Sequence, residues 1–414
     1  MLFRMFDGLT KAQRIRTFET IWSRVKTRHW DARKVGANWD AVRKVYRPRV
    51  EAEQSNSAFY TLMQQMVGEL GQSHFGVIPP EADVASDAQS VTHGAGWHGM
   101  HIRNVYNEPV VVEVERDSPA AQAGVKAGWV IEKVGDTAVR DRLKKIFTVK
   151  QRIGMTNVMF ASAAGQMTKG PIGTAMKYTF RDANDKLVEV DITCIQTPGE
   201  TASFGNLTDI PTTLQTTVIE GDILVIRFNI WLLTPLMAQI REAILGHADA
   251  KGMIIDLRGN PGGVGMMASG LAGMFMPKGK NKLSLGDMNM RASQLHFAIN
   301  PQPPFYRGPI AILIDEMSLS TSEVFAGGMQ DIRRAVIVGR TTGGMVLPSN
   351  IESLDGGLKF QYAIADFKTP KGVLLEARGV RPDVPVRLTR QSLSGDQDPM
   401  ITAAVKALVR APRW

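Results

Sequence analysis

The sequence predicts an α/β multidomain chain, and three observations predict it. Helical periodicity fills the first eighty residues, short turn-bounded strands fill the middle, and from about residue 198 apolar strands alternate with helices. At 414 residues the chain exceeds what one hydrophobic core usually serves, so two or three domains are expected. The divisions fall at 1–80, an N-terminal helical region; 94–196, a small β-domain; and 198–414, an α/β core with a mostly parallel sheet.

In the first region, "RTFETIWSRVKTRHW" and "WDAVRKVYRPRVEA" place apolar residues at steps of three and four, which is one face of a helix. "SAFYTLMQQMVGEL" continues the pattern to Gly71, and "QSHFGVIPP" sets His74 just beyond it. Residues 1–50 carry 13 Lys/Arg against 4 Asp/Glu, but the positives interleave with Phe18, Ile21, Trp22 and Val25 at helical spacing. They read as a solvated helix face, so no nucleic-acid partner is expected. The polar, small-residue stretch "PEADVASDAQSVTHG" reads as a linker.

The middle region turns to strands. "PVVVEVERDSPAAQAGVKAGWVIEKVGDTAV" gives strand, turn, short helix, Gly-bounded turn and strand, and "GTAMKYTFRDANDKLVEVDITCI" gives a hairpin with a polar turn at Asp182–Asp185. The single cysteine, Cys194, lies in the alternating run that ends that hairpin, which makes it a buried strand residue. One cysteine excludes an intramolecular disulfide and any zinc cluster of several thiolates, and no metal or cofactor is expected. Apolar content of 44% and charged content of 21% suit a soluble globular protein. No apolar run reaches the roughly 18 residues a membrane span needs, and no secretory signal is visible at Met1.

The third region alternates "DILVIRF", "LMAQIREAILGH", "GMIIDLR", "MMASGLAGMFM", "IAILID", "SEVFAGGMQD" and "AVIVG", the signature of βαβ units. Ligand chemistry in such sheets gathers at the carboxyl ends of the strands. Two strand ends stand out. "GMIIDLRGNPGG" runs into a turn holding Gly259, Gly262 and Gly263, where backbone amides can approach a substrate oxygen. "IAILIDEMSLSTSE" runs into Ser320, Thr321 and Ser322, followed by Glu323. Ser-Thr-Ser-Glu fits a capping box, with Ser320 capping the helix and Glu323 reaching back, and it also fits a nucleophile at a helix N-terminus. The stretch alone leaves both open.

The middle region resembles a PDZ domain through "SPAAQAGVKAGWVIEKVGD". That family adds an extended peptide beside a sheet edge and holds its carboxylate on backbone amides of a Gly-rich loop. The corresponding loop is "GAGWHGMHI", hence Gly96, Trp97, His98, Gly99 and Met100.

The whole chain resembles the S41 peptidases, the C-terminal processing protease and tricorn-core family. "IDLRGNPGG", "SLSTSEVFAGGMQDIRRAVIVGRTTGG", "EARGVRPDVPV" and the helical region ending "LGQSHF" carry the resemblance in order. It implies a ClpP/crotonase-like core, a serine-type peptidase acting on peptides or unfolded proteins, and Ser320 as nucleophile. The processing branch has a lysine base after "VGRTTGG", where this chain has Met345. A thioether accepts no proton. The tricorn-like branch has a Ser-His pair and a glutamate instead, which fall on Ser73, His74 and Glu376. A neutral imidazole near its ordinary pKa of about 6.5 would take the hydroxyl proton. A carboxylate, directly or through Ser73, would fix its tautomer. The oxyanion would be held by the amide of Thr321 and one from Gly262 or Gly263, while Asp331 and Arg258 would be structural. The resemblance also implies an extracytoplasmic bacterial location. Two rival readings stand: a catalytically silent PDZ scaffold, favoured by Met345, and a carrier of small apolar ligands, for which the 21 methionines would suit an adaptable pocket.

Overall fold

The computed structural model describes residues 9–79, 96–148, 153–204, 207–277, 279, 283–395 and 397–409; the expected linker at 80–94 lies outside them. Three helices open the chain: α1 (Lys11–Arg28), α2 (Ala37–Ala52) and α3 (Asn56–Gly68). Thr10 caps α1 through a reciprocal bond with Gln13, and Ser55 caps α3. Phe18, Ile21 and Val25 of α1 and Phe59, Met63 and Met66 of α3 recur at three- and four-residue steps, and all are buried. Their core is completed from far along the chain, by Leu347, Leu358, Phe360 and Tyr362. The short strand β1 (Gly76–Ile78) then pairs antiparallel with Lys359–Ala363. The helical region is therefore welded to a segment that the sequence divisions assigned to the third part.

The middle of the chain forms an antiparallel sheet in the order β2 (Met100–Val105), β3 (Glu108–Val114), β4 (Val130–Val134), β5 (Ala175–Arg181), β6 (Leu187–Thr193). β5 and β6 make the expected hairpin, with Arg181 opposite Leu187 and Asp182 closing the turn on Lys186. β2 is an edge strand, and helix α4 (Ile153–Met167) packs beside it, Asn104 Nδ2 donating to Asn157 Oδ1 at 2.9 Å. Cys194 is fully buried.

The third part is built on a six-stranded sheet. β7 (Leu214–Ile219) joins antiparallel to β8 (Ile223–Phe228); then β9 (Gly252–Asp256), β10 (Ile310–Ile314), β11 (Val336–Gly339) and Val384–Pro385 follow in parallel. Side chains alternate across it. Met253 and Ile255 enter the core shared with Phe325 and Met329, while Ile254 enters one shared with Ala404 and Leu408. Both faces are covered, which is why β9 and β10 are buried at every position. Val110 and Val130 of the antiparallel sheet reach this second core, so the two sheets pack as one body. The carboxyl ends of β9 and β10 leave into the Gly-rich turn and into helix α5 (Thr321–Asp331).

Candidate active site

The loop after β10 is built around two buried carboxylates. Asp315 accepts from the Gly259 and Met317 amides at 2.9 and 3.0 Å and from Arg103 Nε at 2.8 Å. That guanidinium holds Asp315 below the ordinary carboxylate range in spite of full burial. Glu323, on the first turn of α5, closes the loop from the other side. It accepts from the Ser320 amide at 3.1 Å. Between these anchors Ser320 is forced to φ 53° and ψ −114°. The expected capping box of Ser320 with Glu323 is present, but a helix-capping residue normally sits in the extended region, so this backbone is not that of an ordinary cap. A half-buried serine strained on a strand-to-helix turn is the geometry of a nucleophile elbow.

The three consecutive hydroxyl residues divide their tasks. Thr321 Oγ1 donates to Gly263 O at 2.8 Å. Ser322 Oγ donates to Asn260 O at 3.0 Å and accepts from Trp231 Nε1 at 2.9 Å. Both tie the helix start to the Gly-rich turn. A Cβ on Gly262 would stand 2.7 Å from Ser320 Cβ and 3.0 Å from Thr321 N, so only glycine lets the two turns meet. The Gly262 amide is spent on Asn260 Oδ1 at 3.0 Å. Trp231 N donates to Gly262 O and Val264 N donates to Trp231 O, which leaves the Gly263 N–H directed away from Trp231. Of the two glycines considered from sequence, Gly263 therefore has the available donor. Arg258 pairs with Asp256 and Asp398, each at 2.6 Å, and Asp331 takes the Lys371 amide at 3.0 Å.

The turn after α3 supplies the second half of the site. Ser73 Oγ lies 2.7 Å from His74 Nδ1 and donates to Glu376 Oε2 at 2.9 Å, while Ser73 N donates to Glu376 Oε1 at 2.8 Å. Glu376 Oε2 also takes the Val346 amide at 3.1 Å. Val346 adjoins Met345, whose carbonyl accepts the Ser320 N–H at 3.0 Å. A continuous path thus runs from Ser320 through Met345, Val346, Glu376 and Ser73 to His74. Among the described residues no hydrogen bond joins His74 directly to Ser320. His74 carries φ 58° and the residue after Glu376, Ala377, φ 60°, so strained backbone clusters here. Burial pulls the His74 imidazole down to about 4, below the ordinary value expected from sequence. The cause is lost hydration of the cation; the nearest carboxylate reaches it only through Ser73. Burial raises Glu376 against the pull of its three donors.

The Gly-rich loop of the β-domain is less open than its sequence suggests. Gly96 N donates to Gly170 O, Trp97 N to Ile195 O and Met100 N to His98 Nδ1. His98 is buried, its Nε2 lies 3.2 Å from Thr168 Oγ1, and burial lowers it to about 3, so it is a neutral structural histidine. The edge of β2 is also occupied in part: Asn104 O accepts from Arg340 Nη2 at 3.0 Å, and Ile102 O from Arg103 Nη1 at 3.0 Å.

Residues 222–386 match the profile of peptidase family S41, and residues 11–68 that of the tricorn protease C1 domain. The segment 222–386 belongs to peptidase family S41. The chain is 28% identical over 313 residues to the carboxy-terminal-processing protease of Bartonella bacilliformis, covering 74% of itself and 65% of that relative, just under two thirds. It superposes on the photosystem II D1 C-terminal processing protease with a TM-score of 0.60 at 19% identity, over 95% of this chain and 100% of that one. Mature CPAF gives 0.63 at 13%, over 96% of each. These two likenesses concern the fold. Sequence reasoning missed Asn260, Asp315 and Trp231, which shape the S41 site by burial and hydrogen bonding; Asp315 and Asn260 at strand ends were the available signal.

Proposed function

We propose that the chain is a serine endopeptidase that hydrolyses peptide bonds of peptides or unfolded proteins at Ser320. The observation that carries this reading is the Ser73 hydroxyl set between His74 Nδ1 and Glu376, in a cluster tied through Val346 and Met345 to the Ser320 amide. His74 takes the Ser320 proton at Nε2 as Ser320 Oγ attacks the carbonyl carbon. The Ser73–Glu376 bridge fixes the tautomer and steadies the imidazolium. The oxyanion is received by the amides of Gly263 and Thr321, which the Thr321–Gly263 bond holds together. His74 then protonates the leaving amine, and water hydrolyses the acyl-enzyme. The absence of a Ser320–His74 hydrogen bond is compatible with this role, because catalytic bonds often tighten only with substrate bound. Met345 has no part in proton transfer.

The antiparallel domain is read as a PDZ domain that receives substrate tails along the edge of β2, and the processing proteases among the relatives suit tail-bearing substrates in an extracytoplasmic setting. Among the described residues no helix is long and apolar enough to cross a membrane. Met345 also favours a silent scaffold that only binds peptides. The test is mass spectrometry of an unfolded-protein digest at pH 8 with wild type, Ser320→Ala and His74→Ala. Cleavage by wild type alone supports the peptidase. No cleavage by folded wild type supports the scaffold. Cleavage that survives His74→Ala removes the histidine from the mechanism.

A further inference from the structure

Glu323 holds more than a helix start. Its side chain is fully buried, at 0% exposure. Oε1 accepts from Thr342 Oγ1 at 2.5 Å and Gly344 N at 2.8 Å; Oε2 accepts from Met345 N at 2.9 Å and Ser320 N at 3.1 Å. Four donors from two separate segments converge on one carboxylate. One segment carries Ser320. The other runs on through Val346 to Glu376 and the His74 pair.

We propose that Glu323 is a positioning residue whose ionised carboxylate clamps the Ser320 turn to the Gly344–Met345 segment, and that its protonation, not that of His74, ends activity on the acid side. The inference rests on the peptidase reading of Ser320.

Three of the four donors are backbone amides, which cannot turn into acceptors. An added proton could go only to Thr342 Oγ1, which already accepts from Val380 N at 2.7 Å. Protonation therefore weakens every bond in the clamp from charge-assisted to neutral and misdirects at least one. The charged groups on the surrounding elements are otherwise engaged. Asp315 pairs with Arg103, Glu316 with Arg340 and Asp331 with Lys371, while Glu376 serves Ser73 and Val346. Arg378 enters through its backbone, Arg378 N donating to Leu375 O. Among the described residues no cation pairs with it, and burial lifts Glu323 to about 7, inside the working range, whereas His74 is held near 4.

Two measurements test this. The first is the pH profile of kcat and KM for peptide cleavage by wild type and Glu323→Gln, with thermal unfolding to confirm folding. The expected wild-type kcat falls below pH 7. Glu323→Gln should lower kcat on the order of 100-fold, the effect of a displacement near 1 Å, with KM little changed and no limb left near pH 7. A variant that keeps wild-type kcat, or keeps the same limb, overturns the proposal. The second is hydrogen exchange of the 342–347 segment in wild type, corrected for intrinsic rate, from pH 5.5 to 8.5. Because opening exposes a carboxyl that titrates near 7 when clamped and near 4.5 in water, protection should fall as pH rises toward about 7 and level off above it. Protection independent of pH overturns the clamp whether or not the protein cleaves. Failure to cleave at any pH, with pH-dependent protection intact, would count against the peptidase reading alone.

Discussion

Replacing Glu376 by glutamine asks what the carboxylate behind the histidine contributes. Its two oxygens take three donors: Ser73 N on Oε1 at 2.8 Å, and Ser73 Oγ and Val346 N on Oε2 at 2.9 and 3.1 Å. A glutamine keeps one acceptor. With its oxygen toward Ser73 Oγ and Val346 N, its nitrogen faces the Ser73 N–H, donor against donor; the opposite orientation leaves two donors unmatched. The better orientation loses one charge-assisted bond, about 1.5–3 kcal/mol. On the proposed mechanism it also loses the negative charge that steadies the imidazolium. At 1.36 kcal/mol per decade this is roughly a ten- to hundred-fold loss of kcat. KM should stay within about two-fold, because Ser73 stands between Glu376 and the base and the interaction lost is one made with the transition state. The assay is steady-state cleavage of a fluorogenic peptide at pH 8. Ser73→Ala should give a loss of similar size, and the double variant little more than the larger single, since both act through one bridge. Wild-type kcat in Glu376→Gln, or losses that simply add, would refute the relay.

Further outcomes follow from the same geometry. Ser320→Gly should abolish cleavage yet stabilise the fold by about 1 kcal/mol over Ser320→Ala, since glycine relieves the φ of 53°; calorimetry of both variants checks it. Gly262→Ala should remove activity and lower Tm, because its Cβ meets Ser320 Cβ at 2.7 Å, and a variant with wild-type kcat would contradict the contact. Arg103→Leu strands the buried Asp315 carboxylate and should cost on the order of 3–5 kcal/mol in urea unfolding. Glu323 titrates near 4.5 unfolded and near 7 folded, so the stability it lends is complete below pH 4.5 and is lost as pH rises through 7. Relative to Glu323→Gln, wild type should lose up to roughly 3 kcal/mol across that window.

Much of the local structure was legible because it is written in short-range pattern. Phe18, Ile21 and Val25 at helical spacing mark α1, and continuous apolar runs mark β9 and β10, buried on both faces. Ser320, Thr321 and Glu323 were visible as a group, but whether they form a cap or a reactive turn was not. That depends on the backbone angles, which the Asp315 and Glu323 hydrogen bonds impose. The available amide of Gly263, rather than Gly262, was equally hidden, since it follows from the side chain of Asn260 two residues earlier.

By itself the sequence determined the opening helices, the alternating strands and helices of the parallel sheet, the two Gly- and hydroxyl-rich strand ends, and the absence of a lysine at Met345, but not the strand pairs at Ser284–Ala298 and Ser349–Ala363. Tertiary structure alone decided that Ser73 and Glu376, 303 residues apart, share hydrogen bonds. It also decided that β1 pairs with Lys359–Ala363 to bring them there, and that burial holds His74 neutral. The physical reason is range. Periodicity and propensity act over a few residues, whereas hydrogen-bond partners and desolvation are set by whatever the packed chain brings alongside.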